Sequence, residues 1–252
     1  MSIQPPARKS TSSFPESWKI RLEQGFDLQS SGTTGVAKIL FQPPEKLAAA
    51  NAVALEAQGI SRRSRILTVC NMNHAGGVLA QTLPALSIGA QVDIQPFNAF
   101  RFCQDIEGYT HTHLTPAHCE MLINTRTFAD VDLSGLFITC GSDNVGFNLI
   151  AAFVRRGAIF MCNWGMTEIG PIAINTVFDS LDKVERYRRQ ALDTGSLMGD
   201  RYYCDTKLEQ GCLAVKGTIC IYPGWINSRD RVAINDQGAM YHLGRAPATN
   251  RI

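Results

Sequence analysis

Between Lys38 and Cys162, short apolar runs alternate with segments of helical pattern, and this narrows the possible folds more than any other feature of the chain. Lys38 to Phe41 reads as a strand. Pro43-Pro44-Glu45 then opens an alanine-rich helix that stops at Gly59, since proline is preset for a first helical turn and glycine accepts the left-handed conformation that ends one. Arg65 to Cys70 is a buried strand, followed by a helix from about Val78 to Ser87. The pattern goes on: Gln91 to Pro96 extended, Ala99 to Glu107 helical, Tyr109 to Leu114 extended, Pro116 to Asn124 helical, Leu136 to Cys140 extended, Asn144 to Arg155 helical, Ala158 to Cys162 extended. Such alternation with short connections predicts an α/β fold, a mostly parallel sheet flanked by helices, with ligands expected beyond the C-terminal ends of the strands. Residues 172 to 205 say least, apart from a charged helix around Asp182 to Arg189. Gln210 to Gly217 then alternates like a half-buried strand and opens a small strand-rich C-terminal piece.

The most chemically loaded stretch is Leu28 to Leu40, LQSSGTTGVAKIL. Ser30, Ser31, Gly32, Thr33, Thr34 and Gly35 stand in a row and Lys38 follows. Hydroxyls and small residues let backbone amides turn toward an anion, and a lysine at the rim adds a mobile point charge suited to a polyphosphate. The P-loop pattern G-x-x-x-x-G-K-[ST] does not fit, because Ala37 stands five residues after Gly32 and Ile39 follows the lysine. A Gly/Ser/Thr-rich surface turn is the plain alternative for the loop alone.

The order Ser-Ser-Gly-Thr-Thr-Gly-x-x-Lys resembles the nucleotide loop of the AMP-forming adenylating enzymes, the superfamily of acyl- and aryl-CoA synthetases, adenylation domains and luciferases. The resemblance implies that the loop holds the β- and γ-phosphates of ATP while a carboxylate attacks the α-phosphorus. Ala37 stands where the family usually has proline. Later segments resemble family elements in the family's order. Asn73-His74-x-Gly76 takes the place of Phe-His-x-x-Gly, which implies that His74 and Gly76 line the acid pocket, although the phenylalanine is missing. Gly141-Ser142, at the end of a strand, corresponds to a small-residue loop contacting adenine and acid. Asn163-Trp164-Gly165-Met166-Thr167-Glu168 resembles Tyr-Gly-x-Thr-Glu. There the chemistry calls for an aromatic plane for adenine, a threonine hydroxyl for the α-phosphate and a carboxylate to help hold Mg²⁺. Gly195-Ser196 through Gly199 resembles a turn before the family's second half. Gly211 to Gly217 matches Gly-x-Leu-x-Val-Lys-Gly. Asp230 and Arg245 match the aspartate that binds the ribose hydroxyls and the arginine that contacts ribose or phosphate, with Arg229 in place of the usual glycine. An Arg-Asp-Arg version is similar to some o-succinylbenzoate:CoA ligases and leans toward a small aromatic acid.

The expected organisation is a disordered tail over 1–25, an α/β nucleotide- and acid-binding core over 26–205, and a strand-rich subdomain over 206–252 that closes the nucleotide site. Lys38, Thr167 and Glu168 are the expected catalytic residues, with Glu168 toward Mg²⁺. ATP and Mg²⁺ are the implied cofactors, with CoA for a thioester step, and a carboxylic acid is the substrate. The resemblance runs from about residue 28 to 246. A typical member continues into a hinge and a small domain bearing a catalytic lysine, whereas Ala246-Pro247 stand at the hinge position, so a separate lid domain or carrier protein is an expected partner. Two functions follow: an adenylate-forming ligase, or a degenerate, non-catalytic binder of nucleotide or acyl-adenylate.

Composition excludes other classes. Lysines and arginines total 24 against 22 acids, so nothing points to nucleic acid or an anionic membrane. The eight cysteines include no C-x-x-C pair and several lie in apolar runs, which reads as reduced thiols in a cytoplasmic protein. No apolar stretch approaches the roughly 18 residues of a membrane span. His111, His113, His118 and Cys119 are close in sequence, but their spacing on one strand and one helix start is poor for tetrahedral zinc.

Overall fold

The computed structural model describes residues 14–30, 38–192 and 195–247. Helix α1 (Phe14–Gln24) precedes a hairpin of β1 (Phe26–Gln29) and β2 (Ile39–Gln42), and α2 (Pro44–Gln58) leads to β3 (Arg65–Thr68). The first thirteen residues of the expected tail lie outside the described residues. Then α3 (Ala75–Gly77), a π-helical segment (Val78–Thr82) and α4 (Leu83–Ser87) follow one another without a break. Next come β4 (Gln91–Ile94), α5 (Phe102–Asp105), β5 (His111–Leu114), α6 (Pro116–Ile123), a 3-10 turn (Arg126–Ala129), β6 (Phe137–Cys140) and α7 (Phe147–Val154). The chain continues through β7 (Ile159–Met166), β8 (Gly170–Phe178), α8 (Leu181–Arg189), β9 (Ser196–Gly199), β10 (Arg201–Tyr202), β11 (Asp205–Glu209), β12 (Cys212–Lys216), β13 (Ile226–Ile234) and β14 (Met240–Arg245).

The main sheet has seven strands in the order β10-β8-β7-β6-β5-β3-β4. From β4 across to β7 every pairing is parallel. Alternating side chains divide the core. Leu67, Ile138 and Phe160 face Phe102, Leu122, Ile150 and Phe153 of α5, α6 and α7. Ile66 and Met161 point the other way, toward α4 and α2 respectively, where Ala85 and Ala54 receive them. Both faces of the parallel part are thus covered by helices, as buried strands of this kind require. Helix α2 begins and ends as its sequence dictates, with Pro44 in the first turn and Gly59 at φ 64 closing it.

Several local readings change in three dimensions. The helix expected over Ala99 to Glu107 contracts to Phe102–Asp105, and that over Asn144 to Arg155 to Phe147–Val154. The strand expected to end at Cys162 runs on to Met166 and folds back antiparallel through β8, pairing Asn163 with Asn175 and Trp164 with Ile174. The Gly195 to Gly199 segment contributes a strand, β9, which pairs with β14. That partner lies far along the chain, so periodicity in a short window carries no signal of it.

The strand-rich part is a five-stranded antiparallel sheet, β11-β12-β13-β14-β9. Met198, Leu213, Val215, Val232 and Met240 from it form one cluster with Ile174, against which Trp164 and Met166 pack. That cluster fixes the second sheet beside the β7–β8 hairpin and sets the geometry of the site. Among the described residues no helix is long and apolar enough to cross a membrane.

Candidate functional site

The Gly/Ser/Thr-rich segment falls in sequence between β1 and β2. Ser31, Gly32, Thr33, Thr34 and Gly35 lie outside the described residues. The base of the loop is described: the Ser30 amide donates to the Lys38 carbonyl at 2.8 Å, and the Lys38 amide donates to Ser30 Oγ at 3.2 Å. Lys38 is exposed, at the rim where a mobile cation can reach a ligand. Gln29 forms a parallel bridge to His74, whose Nδ1 lies 3.4 Å from the Gln29 carbonyl, so the hairpin is tied to the loop after β3.

The C-terminal ends of the parallel strands meet here, where the fold predicts ligands. A Cβ added to Gly76 would stand 3.0 Å from His113 Nε2 and 3.5 Å from Ser142 Oγ, so three strand ends converge within one side chain's reach. One at Gly141 would collide with Asn163, 2.6 Å from its carbonyl and 2.7 Å from its Nδ2. Ser142 holds φ 81, a left-handed conformation that non-glycine residues seldom adopt and that clusters at functional loops.

Across from these ends, Trp164 Nε1 donates to Asp230 Oδ2 at 3.0 Å, joining residues 66 positions apart. Asp230 pairs with Arg245 across β13 and β14; Arg245 Nε stands 3.5 Å and His242 Nε2 3.6 Å from Oδ1. The Asp230 side chain is only 12% exposed. A carboxylate has about four acceptor sites, so these contacts orient it and leave capacity for a hydroxyl ligand. Tryptophan, which lacks the phenol of the family's tyrosine, here supplies a ring N–H instead, donated from the ring edge.

Arg229, at the position where the family usually has glycine, adopts φ 65. It bonds through Nη2 to the Ala246 carbonyl at 2.8 Å, and its own carbonyl accepts from the Ala246 amide at 2.8 Å. In ordinary strands alanine is the more stable of the Ala/Gly pair by about 0.5–1 kcal/mol. Here the order should invert. Both variants lose the guanidinium bond, but only Arg229→Gly relieves the left-handed strain, so it should exceed Arg229→Ala in urea stability by about 1 kcal/mol. Equal stability of the two would show that the backbone relaxes out of this conformation.

The turn between β7 and β8 carries Thr167, which is buried, and Glu168, which is partly exposed. Its flanking carbonyls are anchored on two sides: the Thr167 carbonyl accepts from Gln42 Nε2 at 3.3 Å, and the Glu168 carbonyl accepts from the Ile221 amide at 2.9 Å. Behind Gln42 lies Lys46, 1% exposed, donating from Nζ to Gln42 Oε1 at 2.6 Å. Burial pulls its pKa down to about 8, with Cys220 and Glu168 acting in the opposite direction. Motif reading misses Gln42, Lys46 and His242. A signal for Lys46 exists in the sequence: it falls on the stripe with Leu47, Ala50 and Ala54 that α2 buries.

The histidines and cysteine near 111–119 have other work. His111 Nε2 lies 3.1 Å from the Gln58 carbonyl. His118 completes a capping box with Thr115 at the start of α6 and stacks on Phe97 at 4.1 Å. Cys119 Sγ sits 3.9 Å from Cys140 Sγ. His113 is buried with Nδ1 unpartnered among the described residues, and desolvation lowers its pKa to about 4, so it is neutral at pH 7. Among the described residues no cluster of three His, Cys, Asp or Glu side chains is arranged to hold a metal ion.

A mostly parallel sheet flanked by helices, with a second, antiparallel sheet whose buried Asp230 meets Trp164 near the end of β7, defines an α/β architecture with a candidate site at its strand ends. Residues 28–226 match the AMP-binding enzyme family, and the chain belongs to it; this is a family of adenylate-forming ligases. Over 148 residues, 57% of this chain, the sequence is 39% identical to the indoleacetate–CoA ligase of Aromatoleum aromaticum, covering 29% of that protein. The o-succinylbenzoate coenzyme A synthetase from Bacillus subtilis, in complex with ATP and magnesium ion, shares the fold with a TM-score of 0.71 at 18% identity, over 87% of this chain and 49% of that one. An acyl-CoA synthetase (AMP-forming)/AMP-acid ligase II-like protein from Dyadobacter fermentans gives a TM-score of 0.67 at 19% identity, over 92% and 62%. The chain therefore spans less than two thirds of each of these relatives.

Proposed function

We propose that the chain binds ATP and a small aromatic carboxylic acid and joins them. The acid's carboxylate oxygen attacks the α-phosphorus, the bond to the bridging oxygen breaks, and acyl-AMP and pyrophosphate result; a thioester step to CoA follows where a lid domain or carrier partner completes the site. The supporting observation is the Trp164–Asp230–Arg245 arrangement, with a half-occupied carboxylate suited to a ribose diol beside an aromatic plane suited to adenine. In this reading Ser30 to Gly35 and Lys38 hold the β- and γ-phosphates and Thr167 faces the α-phosphate. Gly141, Ser142, Asn163 and Gly165 border the adenine, while His74 and Gly76 border the acid. The name of the indoleacetate–CoA ligase supports an aromatic acid.

Magnesium fits the residues present. Glu168, partly exposed on the turn, offers a hard oxygen donor, and Mg²⁺ commonly takes one or two carboxylates plus substrate phosphates rather than an all-protein cage. Bound there, it would neutralise charge on the triphosphate. We assign the α/β core to residues 26–205, the piece that closes the nucleotide site to 206–252, and the working compartment to the cytoplasm.

ATP–pyrophosphate exchange over a panel of aliphatic and aromatic acids tests the reading, and absence of exchange with every acid, with and without an added lid domain, overturns it. Asp230→Ala should weaken AMP binding by about 1.5–3 kcal/mol, the range for hydrogen bonds to a charged group. Unchanged AMP affinity in calorimetry would remove Asp230 from the ribose site.

A further inference from the structure

We propose that Lys46, acting through Gln42, is a positioning residue that fixes the Thr167–Glu168 turn. An ammonium donates hydrogen bonds and accepts none, whereas an amide side chain can present either its oxygen or its nitrogen. With Lys46 Nζ 2.6 Å away, Gln42 must turn Oε1 toward it. Its Nε2 is then forced toward the carbonyls of Leu40 and Thr167, each at 3.3 Å. Gln42 is fully buried and has no room to choose otherwise. The lysine thus sets the sense of an amide that holds the peptide preceding Glu168, while the Ile221 amide holds the peptide that follows. The consequence for catalysis rests on the roles proposed above for Thr167 and Glu168.

Stability does not account for a charge at this place. A lysine whose folded pKa lies below its unfolded value binds fewer protons when folded, so its charge penalises the fold fully below pH 8 and progressively less up to about 10.5. Buried ions are often replaced by apolar side chains without loss. Lys46→Met removes the buried charge but also leaves the buried Gln42 Oε1 without its donor, two effects of opposite sign, so the variant should still fold cooperatively in urea at pH 7.

The test is amide hydrogen exchange on the full chain. In Lys46→Met, the Ile169 amide, bonded to the Met166 carbonyl, and the Ile221 amide, bonded to the Glu168 carbonyl, should exchange about tenfold faster or more. Amides in the centre of β6 should keep their protection. Gln42→Glu keeps an acceptor for Lys46 but removes the donor to Thr167, and should reproduce the same local change. Unchanged protection at both amides in either folded variant overturns the proposal. Where exchange activity is present, Lys46→Met should alter kcat or KM for MgATP and leave KM for the acid alone; an effect confined to the acid also counts against the role. Amide protection is read with or without turnover, so an inactive wild type would defeat the ligase reading, while the role of Lys46 would still stand or fall on the protection of these two amides.

Discussion

Glu168→Gln is expected to leave AMP affinity nearly intact while ATP–pyrophosphate exchange falls by about 10² or more, the loss typical of removing one electrostatic contact to developing charge. The asymmetry follows from where the charges are. AMP lacks the β- and γ-phosphates over which a metal ion's charge is shared, so a carboxylate beside AMP gains little. A glutamine at this position would keep the size of the side chain and the backbone bonds of the turn, including the carbonyl that accepts from Ile221. Exchange that survives Glu168→Gln untouched would keep the ligase and remove Glu168 from its mechanism. A parallel fall in AMP affinity would mean that the substitution had disturbed the turn itself.

Gly165→Ala should destabilise the fold by about 3 kcal/mol or more, measured from the urea midpoint, because no rotamer or side-chain shift can relieve it. Gly165 sits where the register of β7 and β8 shifts between Trp164 and Met166. An added Cβ would lie 1.9 Å from the Gly170 carbonyl oxygen and 2.6 Å from the Pro171 carbonyl carbon, both backbone atoms of the return strand. Any relief must open the hairpin. Since Trp164 is the preceding residue, opening moves its Nε1 away from Asp230, and AMP affinity should fall together with stability. A cost below about 1 kcal/mol would show that the hairpin is looser than this geometry requires.

These two residues come from one stretch that is legible in the sequence for different reasons. Trp164, Thr167 and Glu168 stand out as types that bind planes, phosphates and metals. Gly165 stands out only as part of the same pattern, and its physical cause, a backbone approach from Gly170, exists only once β8 has folded back. Lys46 shows the opposite case. Its spacing places it on an apolar helical stripe, but its partner Gln42 belongs to β2 and their joint target Thr167 lies 125 residues beyond Gln42.

Local pattern determined what local physics controls. The 2-residue and 3.6-residue periods, with Pro44 and Gly59 as punctuation, specified strands and helices alternating into a mostly parallel sheet, and the order of small loops placed candidate ligand contacts at strand ends. Tertiary structure decided which segments pair at a distance. It turned Ser196–Gly199 into the edge strand of the second sheet, extended β7 into a hairpin, and brought Trp164, Asp230, His242 and Arg245 to one carboxylate. Pairing of that kind is set by the burial of whole faces, here Ile169, Ala173 and Ile174 against Met198, Leu213, Val215 and Met240, and no short window of sequence contains both partners.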